Sequence, residues 1–281
     1  MQISHVIRGE EHLSNTPKQM LLLQAIGASI PVYAHLPLLL GTDRKKLSKR
    51  DDAVSVGEYR EQGFLPEALL NFLALLGWHP KDDRERFTFD ELVEVFRLED
   101  VQKAGAIVDR KKLESINAQY IRSMPPREVI QRAGEALTTY ENAIGRDTLI
   151  RAVALVHDRL VTIRELPEAL RFLFPPNEYP PELLVPQKGS LKRTKDVLGK
   201  LREYFGSMME EAMPGEGELK EQTLAWIRKI GSTNMETLWP LRVALTGQKN
   251  SPEVFGIASL LMQKDITNRI NTAIQKIANL V

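Results

Sequence analysis

The hydrophobic pattern near the start of the chain predicts two strands. Residues 3–7 alternate between apolar and polar side chains, as a half-buried strand does. Residues 32–40 form a longer apolar run, which predicts a buried strand or extended segment. Pro37 lies inside this run and argues against one unbroken central strand, because proline cannot donate a hydrogen bond to a neighbouring strand.

Two helices are predicted around these strands. Thr16 is followed by Pro17, so the first helix is predicted to begin here with Thr16 as its cap, and Gly27 is a suitable end. A second helix is predicted to begin near Pro66. Its apolar residues surround it almost completely, which predicts a buried helix. The first segment of the chain therefore mixes strands with helices.

The rest of the chain is predicted to be helical. Thr88 and Glu91 have the spacing of a capping box, and Asp109 can cap a further helix. Ser251 followed by Pro252 predicts another helix start near the end of the chain.

Two polar stretches that contain proline suggest domain boundaries. One spans residues 78–86, and the other is the proline cluster at residues 175–181. We therefore predict three segments, which are residues 1–80, 81–184 and 185–281.

The composition narrows the class of protein. Hydrophobic residues make up 43% and charged residues 27% of the chain, as in ordinary globular proteins, and aromatic residues are sparse at 6%, which favours helices over sheets. There is no cysteine, which excludes disulfides, cysteine–zinc sites and thiol nucleophiles. This absence agrees with a cytoplasmic location, which is our expectation.

The charged residues nearly cancel. Lys and Arg number 38 and Asp and Glu number 37, so the net charge is +1 and RNA binding would need local basic patches. No apolar run approaches the ~18 residues of a membrane span, and the first residues lack the basic and apolar regions of a signal peptide. We therefore predict neither a membrane span nor a signal peptide.

A short basic segment follows the second apolar run. It consists of Lys46, Leu47, Ser48, Lys49 and Arg50. Cations in a loop can bind the phosphates of a nucleotide and stabilise the charge that develops on a departing pyrophosphate. The alternative is a charged loop that is simply solvated. A P-loop is excluded, because the Gly-x-x-x-x-Gly-Lys spacing is absent.

The segments around this loop occur in the order found in a known family. Residues 46–50 resemble the second signature of the class I aminoacyl-tRNA synthetases, which commonly ends in arginine in the glutamate enzymes. Residues 5–17 and 35–39 resemble the strand, loop and helix start that precede this signature in the family. Tyr59, residues 63–69 and residues 77–78 continue the likeness after it. Further segments resemble the helical anticodon-binding region of the same family, namely residues 89–96, 109–122 and 240–247.

On these motifs the chain is identified as a member of the bacterial-type glutamate–tRNA ligases, and the resemblance covers essentially its whole length. It implies a mostly α fold, in which the C-terminal remnant of a Rossmann-type α/β catalytic domain precedes an all-helical anticodon-binding region with two subdomains. The related glutamine ligases use a β-barrel anticodon domain, so the helical pattern favours the glutamate type.

The resemblance implies roles for several residues. Arg8 matches the arginine that binds the carboxylate of the substrate glutamate, with a structural ion pair to Glu10 or Glu11 as the alternative. Glu11 and Leu39 match positions near the ribose and adenine of ATP, with a core residue, or a contact through the backbone alone, as the alternative for Leu39. Arg242 matches an arginine that recognises the anticodon, with packing on the neighbouring tryptophan as the alternative.

The basic loop receives the remaining roles. Lys49 matches the lysine that assists adenylate formation and is the expected catalytic residue. Lys46 and Arg50 are expected to assist phosphate binding, and Leu47 and Ser48 belong to the same ATP-binding loop, with Ser48 contributing loop geometry.

The substrates and partners follow from the same resemblance. They are glutamate, ATP and tRNA(Glu), with Mg²⁺ accompanying ATP. No spacing of histidines or carboxylates indicates a metal site formed by the protein alone, so we expect no protein-bound zinc. A monomer without membrane contact is expected, as is usual in the family.

One part of the family pattern is absent from these residues. Class I synthetases have a first signature, His-Ile-Gly-His or similar, which completes the nucleotide site, and no segment here resembles it. We therefore expect an incomplete chain that lacks an N-terminal half, and that binds tRNA but does not make glutamyl-tRNA alone. The alternative function is a non-catalytic tRNA-binding module.

Overall fold

The computed structural model describes residues 2–45, 55–80, 82, 84–175, 178–208 and 213–279. The chain divides into two compact units. Unit 1 consists of Met1–Ser123 and Val161–Ile163, and unit 2 consists of Met124–Leu160 and Arg164–Val281. The boundaries predicted near residues 80 and 185 do not coincide with this division, so the three segments stay a prediction about domain organisation.

Unit 1 mixes strands and helices, as predicted. Its strands are β1 (His5–Gly9), β2 (Val32–Leu36), β3 (Leu39–Leu40) and β4 (Ala106–Ile107). Its helices are α1 (Thr16–Ala25), α2 (Val56–Glu61), α3 (Pro66–Leu75), α4 (Phe89–Val95) and α5 (Arg110–Ser123), and short 3-10 turns occupy Glu10–Asn15 and Leu98–Asp100.

The strands of unit 1 form two small parallel pairs. β1 pairs with β2, which places Arg8 opposite His35, and the connection between them contains α1. β3 pairs with β4, which places Leu39 opposite Ala106. The apolar run over residues 32–40 therefore contains two strands in different sheets, and the break falls at the proline that argued against one strand.

The core of unit 1 lies between α3 and α5. Leu69 and Phe72 of α3 are buried, as are Leu113 and Ile116 of α5. In contrast, Leu73 on the other side of α3 is 48% exposed, so the prediction of a helix buried all round was wrong. Only one face of α3 packs on α5, and an apolar residue on another face remains open.

A buried asparagine ties a returning segment into unit 1. The Oδ1 atom of Asn117 accepts a hydrogen bond from the backbone N–H of Leu65 at 2.9 Å, and its Nδ2 donates to the carbonyl of Val161 at 2.5 Å. The N–H of Ile163 donates to the carbonyl of Gly63 at 3.1 Å. The short segment Val161–Ile163 therefore belongs to unit 1 by its hydrogen bonds.

Apolar side chains around the first strand pair face outward. Leu21, Leu22 and Ile26 of α1 are 65%, 67% and 76% exposed, and Ile7 of β1 is 52% exposed. The described residues thus leave part of the β1–α1–β2 segment uncovered.

Unit 2 is helical in the part that the structure describes. Its α-helices are α6 (Pro126–Ala133), α7 (Thr138–Ile144), α8 (Arg146–Ala154), α9 (Leu166–Ala169), α10 (Leu191–Gly206), α11 (Glu216–Lys229), α12 (Asn234–Thr246), α13 (Val254–Ala258) and α14 (Gln263–Ala278). Its 3-10 turns are Gly134–Leu137, His157–Arg159, Arg171–Leu173 and Pro181–Leu184.

The core of unit 2 lies where α10, α12 and α14 pack together. Leu198 and Leu201 of α10, Leu241 of α12, and Ile266 and Ile270 of α14 are each 0% exposed. None of the described helices is long and apolar enough to cross a membrane. The mostly α fold class predicted from the sequence is confirmed, with little sheet and a helical second unit.

Some helix starts were predicted correctly. The capping box at α4 is present, because the N–H of Glu91 donates to Thr88 Oγ1 at 3.2 Å and the N–H of Thr88 donates to Glu91 Oε2 at 2.7 Å. These hydrogen bonds lower the pKa of the Glu91 carboxyl. Asp109 accepts a hydrogen bond from the N–H of Lys111 at 2.9 Å at the start of α5.

The prediction that Thr16 caps α1 was wrong. Thr16 is already helical, and the residue before it is the cap position, which makes no side-chain capping bond. The helix start predicted at Ser251 and Pro252 is confirmed, since α13 begins at Val254. The cap of α13 is Glu253, whose carboxylate accepts a hydrogen bond from the N–H of Phe255 at 2.6 Å, while the buried Ser251 donates its hydroxyl to the carbonyl of Pro252.

Candidate functional site

Arg8 is held by side chains from the β1–α1–β2 segment. Its Nη2 atom donates hydrogen bonds to Thr16 Oγ1 and to Gln19 Oε1, both at 2.8 Å. Its guanidinium carbon lies 5.4 Å from the ring centre of Tyr33, within the range of a cation–π interaction. Among the described residues no acceptor pairs with its Nη1 or Nε, and the ion pair with Glu10 or Glu11 is not formed. The guanidinium is therefore oriented through one amino group and keeps unused donors.

Thr16 connects this arginine to β2. Besides accepting from Arg8, its hydroxyl lies 2.9 Å from Nε2 of His35 and 3.2 Å from the carbonyl oxygen of His12. A hydroxyl has one hydrogen, so if Thr16 donates to His12, then Nε2 of His35 is the protonated nitrogen and donates to Thr16. The threonine that was predicted to cap α1 thus positions Arg8 instead.

Glu11 and Leu39 lie together on the wall of one cavity in unit 1. The cavity has a volume of about 510 Å³ and is lined almost entirely by apolar groups. Glu11 is the one carboxylate on its wall within the described residues. The wall consists of Gly9, Glu11, Leu36, Pro37, Leu38, Leu39, Leu73, Ala74, Leu76, Gly77, Trp78, Phe96, Val101 and Ala106.

The start of the cavity wall is tightly packed. The Glu11 carboxylate lies so close to the backbone of Gly9 that a Cβ atom at residue 9 would collide with it. The preceding carboxylate, Glu10, accepts a hydrogen bond from the N–H of Leu38 at 3.3 Å. A glycine is therefore required at residue 9 for Glu11 to adopt this position, and Arg8 directly precedes that glycine.

The lining of the cavity suits a mainly apolar group with a polar substituent near Glu11. Apolar walls favour a ring system, and a single carboxylate can accept hydrogen bonds from hydroxyl groups. Trp78 is 2% exposed, and its Nε1 has no hydrogen-bond partner among the described residues. The sequence had not identified Trp78 or Phe96 as wall residues, because they come from segments far from Leu39 along the chain.

The basic loop lies outside the described residues. Lys46, Leu47, Ser48, Lys49 and Arg50 all fall in the range 46–54, so their predicted roles have no structural description.

The turn before the loop is described. It follows β3, where Arg44 adopts a φ of 62° and its N–H donates to the carbonyl of Gly41 at 2.9 Å. The basic loop begins at Lys46, seven residues along the chain from Leu39, which lines the cavity.

Arg242 lies in α12 of unit 2. Pro240 is inside this helix and has no N–H, so it cannot make the usual bond to the carbonyl one turn earlier. The hydroxyl of Thr246 donates to the carbonyl of Arg242 at 2.7 Å, and the helix ends at Gly247, whose φ is 69°.

The side chain of Arg242 is half-buried and has no hydrogen-bond or ion-pair partner in the described part of the chain. No cation–π pair joins Arg242 to Trp239 among the described residues, and packing of the arginine on Trp239 stays the alternative. Trp239 instead donates its Nε1–H to the carbonyl of Leu183 at 2.9 Å. The role of Arg242 in recognising the anticodon stays a prediction.

No cluster of three or more histidine or acidic side chains that could hold a metal ion occurs in the described ranges.

Comparison with protein families gives two matches. The catalytic domain of the class I tRNA synthetases (E and Q) matches residues 1–115, and an anticodon binding domain matches residues 128–274.

Individual relatives match nearly the whole chain. A glutamate–tRNA ligase of Desulforudis audaxviator is 39% identical over 286 residues, and that of Carboxydothermus hydrogenoformans is 38% identical over 279 residues. These alignments cover 98% and 96% of this chain but 56% and 57% of the relatives, so the chain spans just over half of their length. The crystal structure of a glutamate tRNA ligase from Elizabethkingia meningosepticum in complex with its amino acid matches with a TM-score of 0.85 and 28% identity, over 98% of this chain and 57% of that chain.

Proposed function

Since the chain belongs to the family of class I tRNA synthetases for glutamate and glutamine, we propose that it provides the adenylation loop and the tRNA-binding unit of a glutamate–tRNA ligase. Such an enzyme works in two steps. A carboxylate oxygen of glutamate attacks the α-phosphorus of ATP, which forms glutamyl-adenylate and releases pyrophosphate. The terminal ribose hydroxyl of the tRNA then attacks the glutamyl carbonyl and releases AMP.

The observation that carries this proposal is the position of Arg8. Its guanidinium is fixed by Thr16 and Gln19 and keeps Nη1 without a partner among the described residues. A guanidinium that is held in place and has free donors suits a carboxylate, because charge-assisted hydrogen bonds are strongest with a preorganised donor. The neighbouring cavity, with Glu11 and Leu39 on its wall, supports a nucleotide beside the amino acid.

In this proposal each predicted site residue keeps the role of its family counterpart. Glu11 accepts hydrogen bonds from the ribose, and Leu39 contacts the adenine. Lys46 and Arg50 bind phosphates, and Leu47 and Ser48 shape the loop between them. Mg²⁺ arrives on the phosphates of ATP, which supply the oxygen ligands that this ion prefers. We also propose a cytoplasmic location and a monomeric state.

The first test concerns Lys49 and the chemical step. Its ammonium group is proposed to stabilise the negative charge that grows on the leaving pyrophosphate, so we expect Lys49→Ala to lower the adenylation rate by roughly 100-fold. The rate should be measured in a single turnover, in a protein that includes the additional length found in the relatives. Lys111→Ala removes an exposed lysine of α5 and is the control, with no change expected. An unchanged rate in Lys49→Ala would exclude this role.

The second test concerns Arg242 and the tRNA. A guanidinium can pair with base edges or stack on unpaired bases of the anticodon loop. We expect Arg242→Gln to weaken the binding of tRNA(Glu) by about 10-fold, the effect of losing one good base contact. The thermal midpoint should not change, because Arg242 has no partner among the described residues.

The control for Arg242 uses the same substitution elsewhere in unit 2. Arg228 of α11 is exposed, so Arg228→Gln should leave binding unchanged. Both variants should be compared on tRNA(Glu) and on a transcript with altered anticodon bases. If Arg242→Gln weakens both transcripts equally, the arginine does not recognise the anticodon.

The whole proposal is tested on residues 1–281 by measuring tRNA binding and tRNA-dependent ATP–pyrophosphate exchange side by side. Binding of tRNA(Glu) at low salt is the expected result, because phosphate contacts are strongest there. Failure to bind would contradict the proposal. The same two measurements should be made on a protein that includes the additional length found in the relatives. If that protein binds tRNA(Glu) but shows no ATP–pyrophosphate exchange, the result favours the non-catalytic tRNA-binding module.

A further inference from the structure

Helix α10 presents an exposed row of cations. Lys192, Lys195 and Arg202 are separated by three and seven residues, which places them along one side of the helix. All three are exposed, whereas Val197 and Leu201, which lie away from them around the helix, are buried. We call Lys192, Lys195 and Arg202 the basic stripe.

The cations of the basic stripe form no ion pair with a residue that the structure describes, whereas other cations of α10 do. Asp196 of the same helix lies 3.5 Å from Arg193 and 3.2 Å from Lys200, and Arg193 also approaches Glu236 at 3.6 Å. The second carboxylate of α10, Glu203, is exposed beside Arg202. Since α10 has five cations and two carboxylates, the helix keeps a net positive charge although that of the chain is only +1.

A glycine lies in the middle of the basic stripe. Gly199 is inside a helix of 16 residues. Glycine stabilises a helix less than alanine does, because it loses more backbone conformational entropy on folding. A Cβ atom at this position would meet no atom within 4 Å, so packing inside the chain does not require a glycine. The missing side chain instead exposes the helix backbone between Lys195 and Arg202, where a partner can approach closely.

We propose that the basic stripe binds the sugar–phosphate backbone of the tRNA, with the strand passing over Gly199. This inference rests on the proposed function and extends it to a second contact surface, separate from Arg242. Lys192 and Arg202 are about 15 Å apart along the helix axis, from the rise per residue. Because charges along a nucleic-acid strand repeat every few ångströms, a row of this length can contact more than one phosphate.

The chemistry around the stripe favours phosphates over bases. The aromatic residues of α10 point elsewhere: Phe205 is completely buried, and Tyr204 stacks on Trp226 with ring centres 4.5 Å apart. No exposed ring is therefore present on the stripe to stack on a base. Contacts of lysine and arginine with phosphates fix the position of an RNA but do not distinguish its sequence.

The salt dependence of binding tests this surface. We expect the triple variant Lys192→Gln, Lys195→Gln, Arg202→Gln to bind tRNA(Glu) more weakly at low salt. The slope of log K against log salt should become shallower by about 2 to 3, since each lost phosphate contact removes about 0.7 to 0.9. The matched control removes three exposed cations from α11, namely Lys220→Gln, Arg228→Gln and Lys229→Gln.

A second variant tests the close approach over Gly199. Gly199→Gln places a neutral side chain in the path of the strand and uses a better helix former. We expect the affinity for tRNA(Glu) to fall several-fold while the thermal midpoint stays the same or rises. Gly217→Gln in α11, where a side chain would also meet open space, is the control and should bind as the unaltered chain does.

The outcomes separate this inference from the proposed function. If the unaltered chain binds tRNA(Glu) and both stripe variants bind with the same slope and affinity, the basic stripe is not a contact surface, and the proposed function stands. Equal changes in the α10 and α11 triple variants would show a general charge effect and also overturn the inference. If the unaltered chain does not bind, the proposed function fails together with the inference.

Discussion

The variant Asn71→Ala is expected to lower the free energy of unfolding of unit 1 by about 4 kcal/mol, because two buried backbone groups, the carbonyl of Glu85 and the N–H of Phe87, lose their partner. Asn71 is completely buried in α3. Its Nδ2 donates to the carbonyl of Glu85 at 2.8 Å, and its Oδ1 accepts from the N–H of Phe87 at 2.7 Å and lies 3.0 Å from the hydroxyl of Tyr120. Alanine removes one donor and one acceptor, and it leaves a cavity where water has little access.

Hydrogen exchange of unit 1 amides measures this loss. Asn15→Ala is the matched control, because Asn15 is exposed and makes no side-chain capping bond, so a change within about 0.5 kcal/mol is expected. Tyr120→Phe should cost less than Asn71→Ala, because it removes only one hydroxyl. If Asn71→Ala and Asn15→Ala lose protection equally, the asparagine network does not stabilise the unit. Helix α3 and the residue after it also provide Leu73, Ala74 and Leu76 to the cavity wall. We therefore expect Asn71→Ala to weaken ligand binding in the cavity as well as to destabilise unit 1.

The second large effect is expected for Arg269→Met in α14, with a loss of about 3 kcal/mol in the stability of unit 2, since hydrogen bonds to charged groups contribute more than neutral ones. The Nη1 atom of Arg269 donates to the carbonyls of Leu245 at 2.6 Å and Phe172 at 3.2 Å, and Nη2 donates to that of Leu173 at 2.7 Å. Burial lowers the pKa of Arg269, but the guanidinium stays protonated at neutral pH.

Methionine fills a similar volume but leaves these three carbonyls without their donor. Leu245 is in the last turn of α12, where a cation also favours the helix dipole. Urea unfolding of unit 2 should therefore shift to lower urea for Arg269→Met, whereas Lys264→Met on the exposed side of α14 should not shift it. Arg269→Lys should fall between them, because one ammonium cannot reach all three carbonyls. A midpoint for Arg269→Met equal to that of Lys264→Met would contradict the expectation.

Local sequence signals predicted the elements that depend on neighbouring residues. The capping box at Thr88 and Glu91, the proline at the start of α3 and the cap at Asp109 each act within one helical turn, so the sequence alone contains the information. Thr16 has an equally good local signal, yet it does not cap α1. Its hydroxyl accepts a hydrogen bond from Arg8 instead, and a local pattern cannot show this.

Contacts between distant segments could not be predicted in the same way. β4 has two residues and no strand pattern, and it is a strand only because Leu39 and Leu40 lie beside it. Asn71 and Arg269 donate hydrogen bonds to backbone carbonyls. Every residue has such a carbonyl, so the sequence does not indicate which ones will be the partners.

At the candidate site, the family pattern identified Arg8 but not the residues that hold it. Thr16, Gln19 and Tyr33 are ordinary residues of a helix and a strand until β1 and β2 pair. The roles of residues 46–50 stay predictions from the motif.

The return of Val161–Ile163 to unit 1 affects how this protein can be divided. A truncation after Ser123 would follow the order of the chain, yet it would remove the carbonyl that pairs with Asn117 and the N–H that pairs with Gly63. The amide of Asn117 would then be buried with one hydrogen bond fewer, so the isolated piece should be prone to degradation and aggregation. Gene fragments that end after Ile163, or permuted genes that join this tripeptide to α5 by a short linker, preserve both hydrogen bonds. Boundaries for recombinant expression should therefore keep Val161–Ile163 with unit 1. They should not be placed after Ser123, where the chain first leaves that unit.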